Sequence, residues 1–177
     1  MPLFDGADAS GWSYLGGGEM RLLDGYARTH GDGVSLGLWY YSLRTFKNFE
    51  LNVEFRQSVV GANSGVFVRF PDPRGNVLRP ISQGYEVQIA RAPGTSESTG
   101  AIYSFQAADP KGELTEPGLF NQLQIRVVDQ NYEVSLNGQL INSFVGRRNL
   151  EGYVGIQVHD SPTDIVDVRR VEITDLP

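Results

Sequence analysis

The chain has no cysteine among its 177 residues, which excludes disulfides and thiolate metal sites. It also lacks an excess of basic residues. Fifteen Lys and Arg face 21 Asp and Glu, a formal net charge of −6 and a sequence pI near 4.9. Such a chain has little to attract a phosphate backbone, so nucleic acid is not an expected partner. No apolar run approaches the roughly 20 residues of a membrane-spanning helix, so no membrane partner is expected either. The opening Met1-Pro2-Leu3-Phe4-Asp5-Gly6 has no basic stretch and no apolar stretch behind it. The expectation is therefore no signal peptide in this chain: a cytoplasmic protein, or one exported with its leader already removed. Histidine is scarce too, with only His30 and His159. Helical periodicity is absent, and so are internal repeats, low-complexity tracts and any composition shift that would mark a boundary. One domain over 1–177 is expected.

What is present is period-two alternation. Phe49, Leu51, Val53 and Phe55 alternate with Glu50, Asn52, Glu54 and Arg56. The same rhythm recurs at Val66 and Val68, at Tyr85, Val87 and Ile89, and at Leu123, Ile125 and Val127. It returns at Tyr132, Val134 and Leu136, at Val154, Ile156 and Val158, and from Val166 to Ile173. Each run reads as a strand with one apolar and one polar face. Asn137-Gly138 between two runs is a strong hairpin signal, and Asp24-Gly25 marks a similar early turn. Glycine (21) and proline (9) are spread along the chain, as many turns require. The pattern predicts an all-β sandwich or barrel. Residues 71–82 and 91–99 read as long loops, with room for a short turn near 110–114.

The polar faces are unusual. They carry Glu54 and Arg56, then Arg69, then Glu86 and Gln88, then Gln157 and His159. If those strands are neighbours, carboxylates, amides and guanidinium groups converge, a mixture suited to sugar hydroxyls. Trp39, Tyr40, Tyr41 and Tyr103 could stack on sugar rings. A salt-bridge lattice that only ties the sheet together would leave the same pattern. A glycosidase pair of carboxyl groups needs a separation of ~5–5.5 Å or ~6.5–9.5 Å. Residues two apart on a strand are about 6.5–7 Å apart. That spacing gives Glu86 and Gln88, a carboxyl and an amide, and an amide is neither acid nor base. The Glu-x-Asp-x-x-Glu strand of lectin-like glucanases would fall on Glu86, Gln88 and Arg91, with two of its three carboxylates missing. His159 sits on a polar strand face as a side chain of the type that titrates near neutral pH, and also reads as a strand-end residue at the solvent edge. Ser64 lacks the glycine pattern of a nucleophile elbow, and Gly16-Gly17-Gly18 is followed by no lysine and no helix. A metal site from oxygen and histidine ligands has no spacing signature.

At these residues the chain resembles the 3-keto-disaccharide hydrolase family. Leu3-Phe4-Asp5-Gly6 with Gly11-Trp12 looks like its start, and Thr45 through Phe49-Glu50-Leu51 to Glu54-Phe55-Arg56 like its next block. Asn63-Ser64-Gly65 through Arg69, Gly84-Tyr85-Glu86-Val87-Gln88-Ile89 and Thr99-Gly100-Ala101-Ile102-Tyr103 follow in order. Leu136-Asn137-Gly138 and Gly152 through Gln157-Val158-His159 complete the series. Two places depart from the pattern. Gly118-Leu119-Phe120-Asn121 stands where the family has Gly-Glu-Trp-Asn, and Val168-Arg169-Arg170 where it has Phe-Arg-Asn.

The resemblance implies a jelly-roll β-sandwich of two antiparallel sheets, of the concanavalin A-like lectin and glucanase type. It implies a concave sheet bearing Arg56, Arg69, Glu86, Gln88, Gln157 and His159, with Asn63 and Tyr103 as further substrate-binding residues. It also implies hydrolase or lyase cleavage of glycosides oxidised at sugar position 3. A 3-keto group acidifies the C2 hydrogen, so a single base suffices for elimination of the aglycone, with water adding back afterwards. Glu86 or His159 could be that base. Arg56, Arg69 or a bound divalent cation could stabilise the oxyanion. A non-catalytic sugar-binding module and a purely structural or interaction sandwich remain the alternatives, and nothing in the residues sets the oligomeric state.

Overall fold

The computed structural model describes residues 1–90, 95–110 and 114–177. Among the described residues there are thirteen strands in two sheets, with every strand pairing antiparallel. The strands are β1 (Pro2–Phe4), β2 (Trp12–Gly16), β3 (Glu19–Leu23), β4 (Tyr26–His30), β5 (Gly37–Tyr41), β6 (Phe49–Gln57) and β7 (Ser64–Phe70). A five-residue helix α1 (Arg79–Gln83) precedes β8 (Tyr85–Ile89), β9 (Asn121–Val128), β10 (Asn131–Leu136), β11 (Gln139–Val145), β12 (Tyr153–Val158) and β13 (Val166–Asp175). The larger sheet runs β11-β10-β9-β6-β13-β4-β3, with β1 on β13; the smaller runs β2-β5-β12-β7-β8. The jelly-roll type of two-sheet sandwich expected above is what forms.

The alternation explains the core. Phe49, Leu51, Val53 and Phe55 of β6, with Leu123, Ile125 and Val127 of β9, face Val66, Val68, Val87, Val154 and Ile156 of the other sheet. A second apolar cluster lies on the outer face of the smaller sheet, where Leu38, Phe67 and Phe70 are covered by Val77 and Ile81. The segment expected as a plain loop over 71–82 thus folds back over that face and contains α1. Pro80 sits in the helix's first turn, where its missing N–H costs nothing. The 91–94 part of the second expected loop, and 111–113 of the expected turn, lie outside the described residues. Both expected turns form: Asn137 and Gly138 take φ of 51° and 82° between β10 and β11, and Gly25 takes 82° between β3 and β4. Among the described residues no helix is long and apolar enough to cross a membrane.

Two sequence expectations change here. Trp39 and Tyr41 face the inter-sheet core, where Trp39 stacks on Trp12 at 3.9 Å, so of the three β5 aromatics only Tyr40 lies on the outer face. Arg69 also leaves the polar face. Val68 pairs with Val154 and Phe70 with Tyr153, so Arg69 is the extra residue of a β-bulge, with φ of 52°. The bulge turns its side chain to a fully buried position. There its guanidinium donates to the Lys47 and Asp129 carbonyls and to Asn48 Oδ1, and stacks on the Tyr132 ring. Arg69 clasps β7 to the far sheet.

Removing that clasp leaves the Lys47 and Asp129 carbonyls without their guanidinium donor. Arg69→Met is expected to cost about 3 kcal/mol and lower the thermal midpoint by about 6–12 °C. Calorimetric unfolding checks this, and an unchanged midpoint would refute the clasp.

Candidate functional site

Register places the outer-face residues of the smaller sheet. Glu86 of β8 pairs with Phe67, and Phe67 with Gly155. One step along, Gln88 pairs with Gly65. Gln157 comes next to Gly65 by continuation of the Ile156–Val66 pairing. Gln88 and Gln157 therefore stand about 9.6 Å apart across a glycine floor. A methyl group at Gly65 would collide with Glu86 Oε1, so the missing side chain is what lets the carboxyl lean between the two amides. The segment 99–103 seals the free edge of β8, with Tyr103 N–H donating to the Glu86 carbonyl at 3.0 Å and Gly100 N–H to that of Gln88 at 2.9 Å.

Glu86, Gln88 and Gln157 are 4%, 3% and 5% exposed. The Oε1 atom of each is buried and has no hydrogen-bond partner among the described residues. The Gln88 amide donates its Nε2 to Asn63 Oδ1 at 2.8 Å, which brings Asn63 into the group. Burial alone pushes the Glu86 carboxyl up to about 8, because no cation offsets the loss of water around its charged form. A carboxyl and two amides on one sheet face suit a ligand rich in hydroxyl groups. Among the described residues no group of three or more His, Asp or Glu is placed to hold a metal.

Glu86 also lines a cleft of about 270 Å³ at the β8 edge, with Ile81, Ser82, Tyr103, Ser104, Phe105 and Arg148. Tyr103 is thus brought to Glu86 as expected. Arg148 was not among the candidates. It lies in the connection after β11, outside any alternating run, and the adjacent Arg147-Arg148 pair gave no reason to choose it.

The other expected residues go elsewhere. Arg56 lies on β6 of the larger sheet, not beside Glu86. Its Nε donates to Asp167 at 2.8 Å and its guanidinium lies over the Tyr26 and Phe120 rings. The cause is pairing: β6 lies between β9 and β13, so its polar face is the outer face of the larger sheet. Arg69 is in the clasp. His159 follows the end of β12, and continuing that strand's spacing puts it about 16 Å from Glu86, two strands over and four residues along. Its Nδ1 lies 2.7 Å from Asp164 and 3.2 Å from Asp160, ion-pair distances without the in-line angle of a hydrogen bond.

The raised Glu86 carboxyl couples stability to pH. Below about 4.5 the carboxyl is protonated whether the chain is folded or not. Between 4.5 and 8 the unfolded chain releases the proton that the folded chain keeps, so stability falls as pH rises. Glu86→Gln keeps the shape and removes the charge. It should leave stability at pH 4 nearly unchanged and raise it at pH 8 by roughly 1–3 kcal/mol. Denaturation at the two pH values checks this, and equal effects at both would contradict the buried, unpaired carboxyl.

A family model described as the 3-keto-alpha-glucoside-1,2-lyase-like domain matches residues 1–174. No curated protein matches the chain. Among solved structures, a "putative glycosyl hydrolase" from Parabacteroides distasonis ATCC 8503 superposes with a TM-score of 0.79 at 21% identity, covering 99% of this chain and 93% of that one. The carbohydrate-binding module CBM66 from Bacillus subtilis superposes at 0.64 with 13% identity, over 96% and 98%. The VIP36 exoplasmic/lumenal domain, bound to Ca2+ and Man3GlcNAc, superposes at 0.66 with 15% identity, over 99% and 88%. At these identities the likeness is one of fold.

Proposed function

The chain belongs to the 3-keto-alpha-glucoside-1,2-lyase-like domain family, and from that premise we propose that it cleaves 3-keto-glycosides by elimination, with Glu86 as the base. The observation that carries this reading is the Glu86 carboxyl itself: buried, lining a cleft and, among the described residues, free of ion pairs and without a partner for Oε1. A carboxylate pushed up to about 8 is a stronger base than an ordinary one. It would take the C2 proton, which the 3-keto group acidifies. The C2–H electrons become the C1=C2 bond, the C1–O bond to the aglycone breaks, and the departing oxygen takes up a proton. Water then adds across the double bond to give the free 3-keto sugar. Gln88, Gln157 and Asn63 would hold ring hydroxyls, and Tyr103 would close the β8 side. Arg56 and Arg69, kept outside the cleft by Asp167 and by the clasp, supply no oxyanion contact. Nor does a single-base route need the second carboxylate that this strand lacks.

A second reading is a binding module without turnover, favoured by the likeness in fold to a carbohydrate-binding module and a lectin-like domain. The salt-bridge lattice has less in its favour at this face, since the triad Arg28–Asp167–Arg56 lies on the other sheet.

Aglycone release from a chromogenic 3-keto-glucoside separates the readings, with the unoxidised glucoside as control and chelator in a parallel series. Turnover of the keto substrate alone is expected, rising with pH towards 8 as Glu86 ionises. Glu86→Gln should lower it by about 100-fold or more. Sugar binding with no turnover of either substrate would leave the binding module.

A further inference from the structure

The cleft beside Glu86 contains one fixed charge of opposite sign. Arg148 is half-buried there, and no acidic side chain among the described residues pairs with it. Its guanidinium is held firmly all the same. The Tyr85 and Phe105 rings lie 5.1 and 4.8 Å from its central carbon. Its Nη1 donates to the Ile81 carbonyl at 2.8 Å and to that of Gly84. Those bonds use one corner of the fork. The Nε–Nη2 edge has no hydrogen-bond acceptor among the described residues.

That edge is the one that grips a carboxylate side-on, through two parallel N–H bonds. The same protein shows the grip completed elsewhere. Arg28 donates from Nε and Nη2 to the two oxygens of Asp167, at 2.7 and 3.0 Å. Arg148 presents the same pair of donors with nothing opposite. The chain carries more acids than bases, so an arginine left without an acid in a cleft is a local exception to its own charge balance. Of the cleft's other lining groups, Glu86 alone is acidic, and it is buried in its neutral form up to about pH 8. A neutral sugar hydroxyl would meet single N–H donors, but would not engage the planar edge as a unit.

We propose that the Nε–Nη2 edge of Arg148 binds a carboxylate carried by the sugar, so that the cleft selects glycuronides over neutral glycosides. This rests on the reading of the cleft as a carbohydrate site.

Calorimetric titration of the full chain at pH 6.5 with methyl glucuronoside and with methyl glucoside tests it. The glucuronoside should bind at least tenfold more tightly. Arg148→Gln should abolish that preference while keeping affinity for the glucoside. Because Arg148 also ties the Ile81 and Gly84 carbonyls, Ser104→Asp provides a second variant that leaves those ties in place. It puts a carboxylate into the same cleft as a rival for the fork, and should likewise erase the preference. Equal affinity for the two sugars would overturn the inference while leaving the 3-keto-glycoside reading to the turnover assay. Binding of neither sugar would overturn both the inference and the carbohydrate reading of the cleft.

Discussion

Taking a carboxyl group out of water without an ion pair is costly in its charged form, and the surroundings of Glu86 follow from that cost. Its neighbours in the sheet are a phenylalanine, a glycine and two uncharged amides. None supplies a charge that would fix the carboxyl as an anion. Gly65 gives up its side chain so that the carboxyl has somewhere to lie. The segment 99–103 seals the strand edge beside it through backbone bonds, so the site is closed on one flank without another ionisable group. A carboxyl held in this way is, once ionised, a stronger base than a solvated carboxylate.

The arginines show how much depends on where the strands fall. Arg69 sits where regular alternation would place it on the outer face, yet one extra residue in β7 turns it inward to bind carbonyls of the opposite sheet. A second bulge, in β13 between Val168 and Arg170, leaves Arg169 and Arg170 both exposed while Val168 and Val171 stay buried. Arg28 and Arg56 share Asp167 across three adjacent strands of the larger sheet, so their charge is spent on holding that sheet's outer face. Arg148 alone among these six brings its charge to the Glu86 cleft. One residue type thus serves as clasp, as lattice and as an open fork, and the difference lies in which acceptors the fold brings within reach.

A sandwich whose inner faces supply the core leaves its outer faces free to diverge. That freedom is consistent with the wide likeness in fold at 13–21% identity to a glycosyl hydrolase candidate, a carbohydrate-binding module and a lectin-like domain. In this chain the outer face of the smaller sheet is partly roofed by the segment that contains α1, through Val77 and Ile81 over Phe67 and Phe70. The roof narrows an open sheet face to a cleft at the β8 edge. Glu86, Tyr103 and Arg148 all line that cleft.

The sequence by itself determined the strand character of β6 to β10, β12 and β13, the hairpin at Asn137-Gly138, the inward-facing apolar sets and the placing of Glu86 with Gln88 on one polar face. Those features are local, because alternation with a period of two and the φ > 0 demands of turns act over a few residues. Its block pattern also carried the family resemblance. Tertiary structure alone decided which strands became neighbours. It sent Arg56 to the other sheet, buried Arg69 through a bulge, turned Trp39 and Tyr41 into the core and separated His159 from Glu86. It also brought Arg148, which no periodic pattern marks, into the cleft. Sheet order and bulge placement depend on long-range pairing between strands far apart in the chain, and no spacing within a strand encodes them.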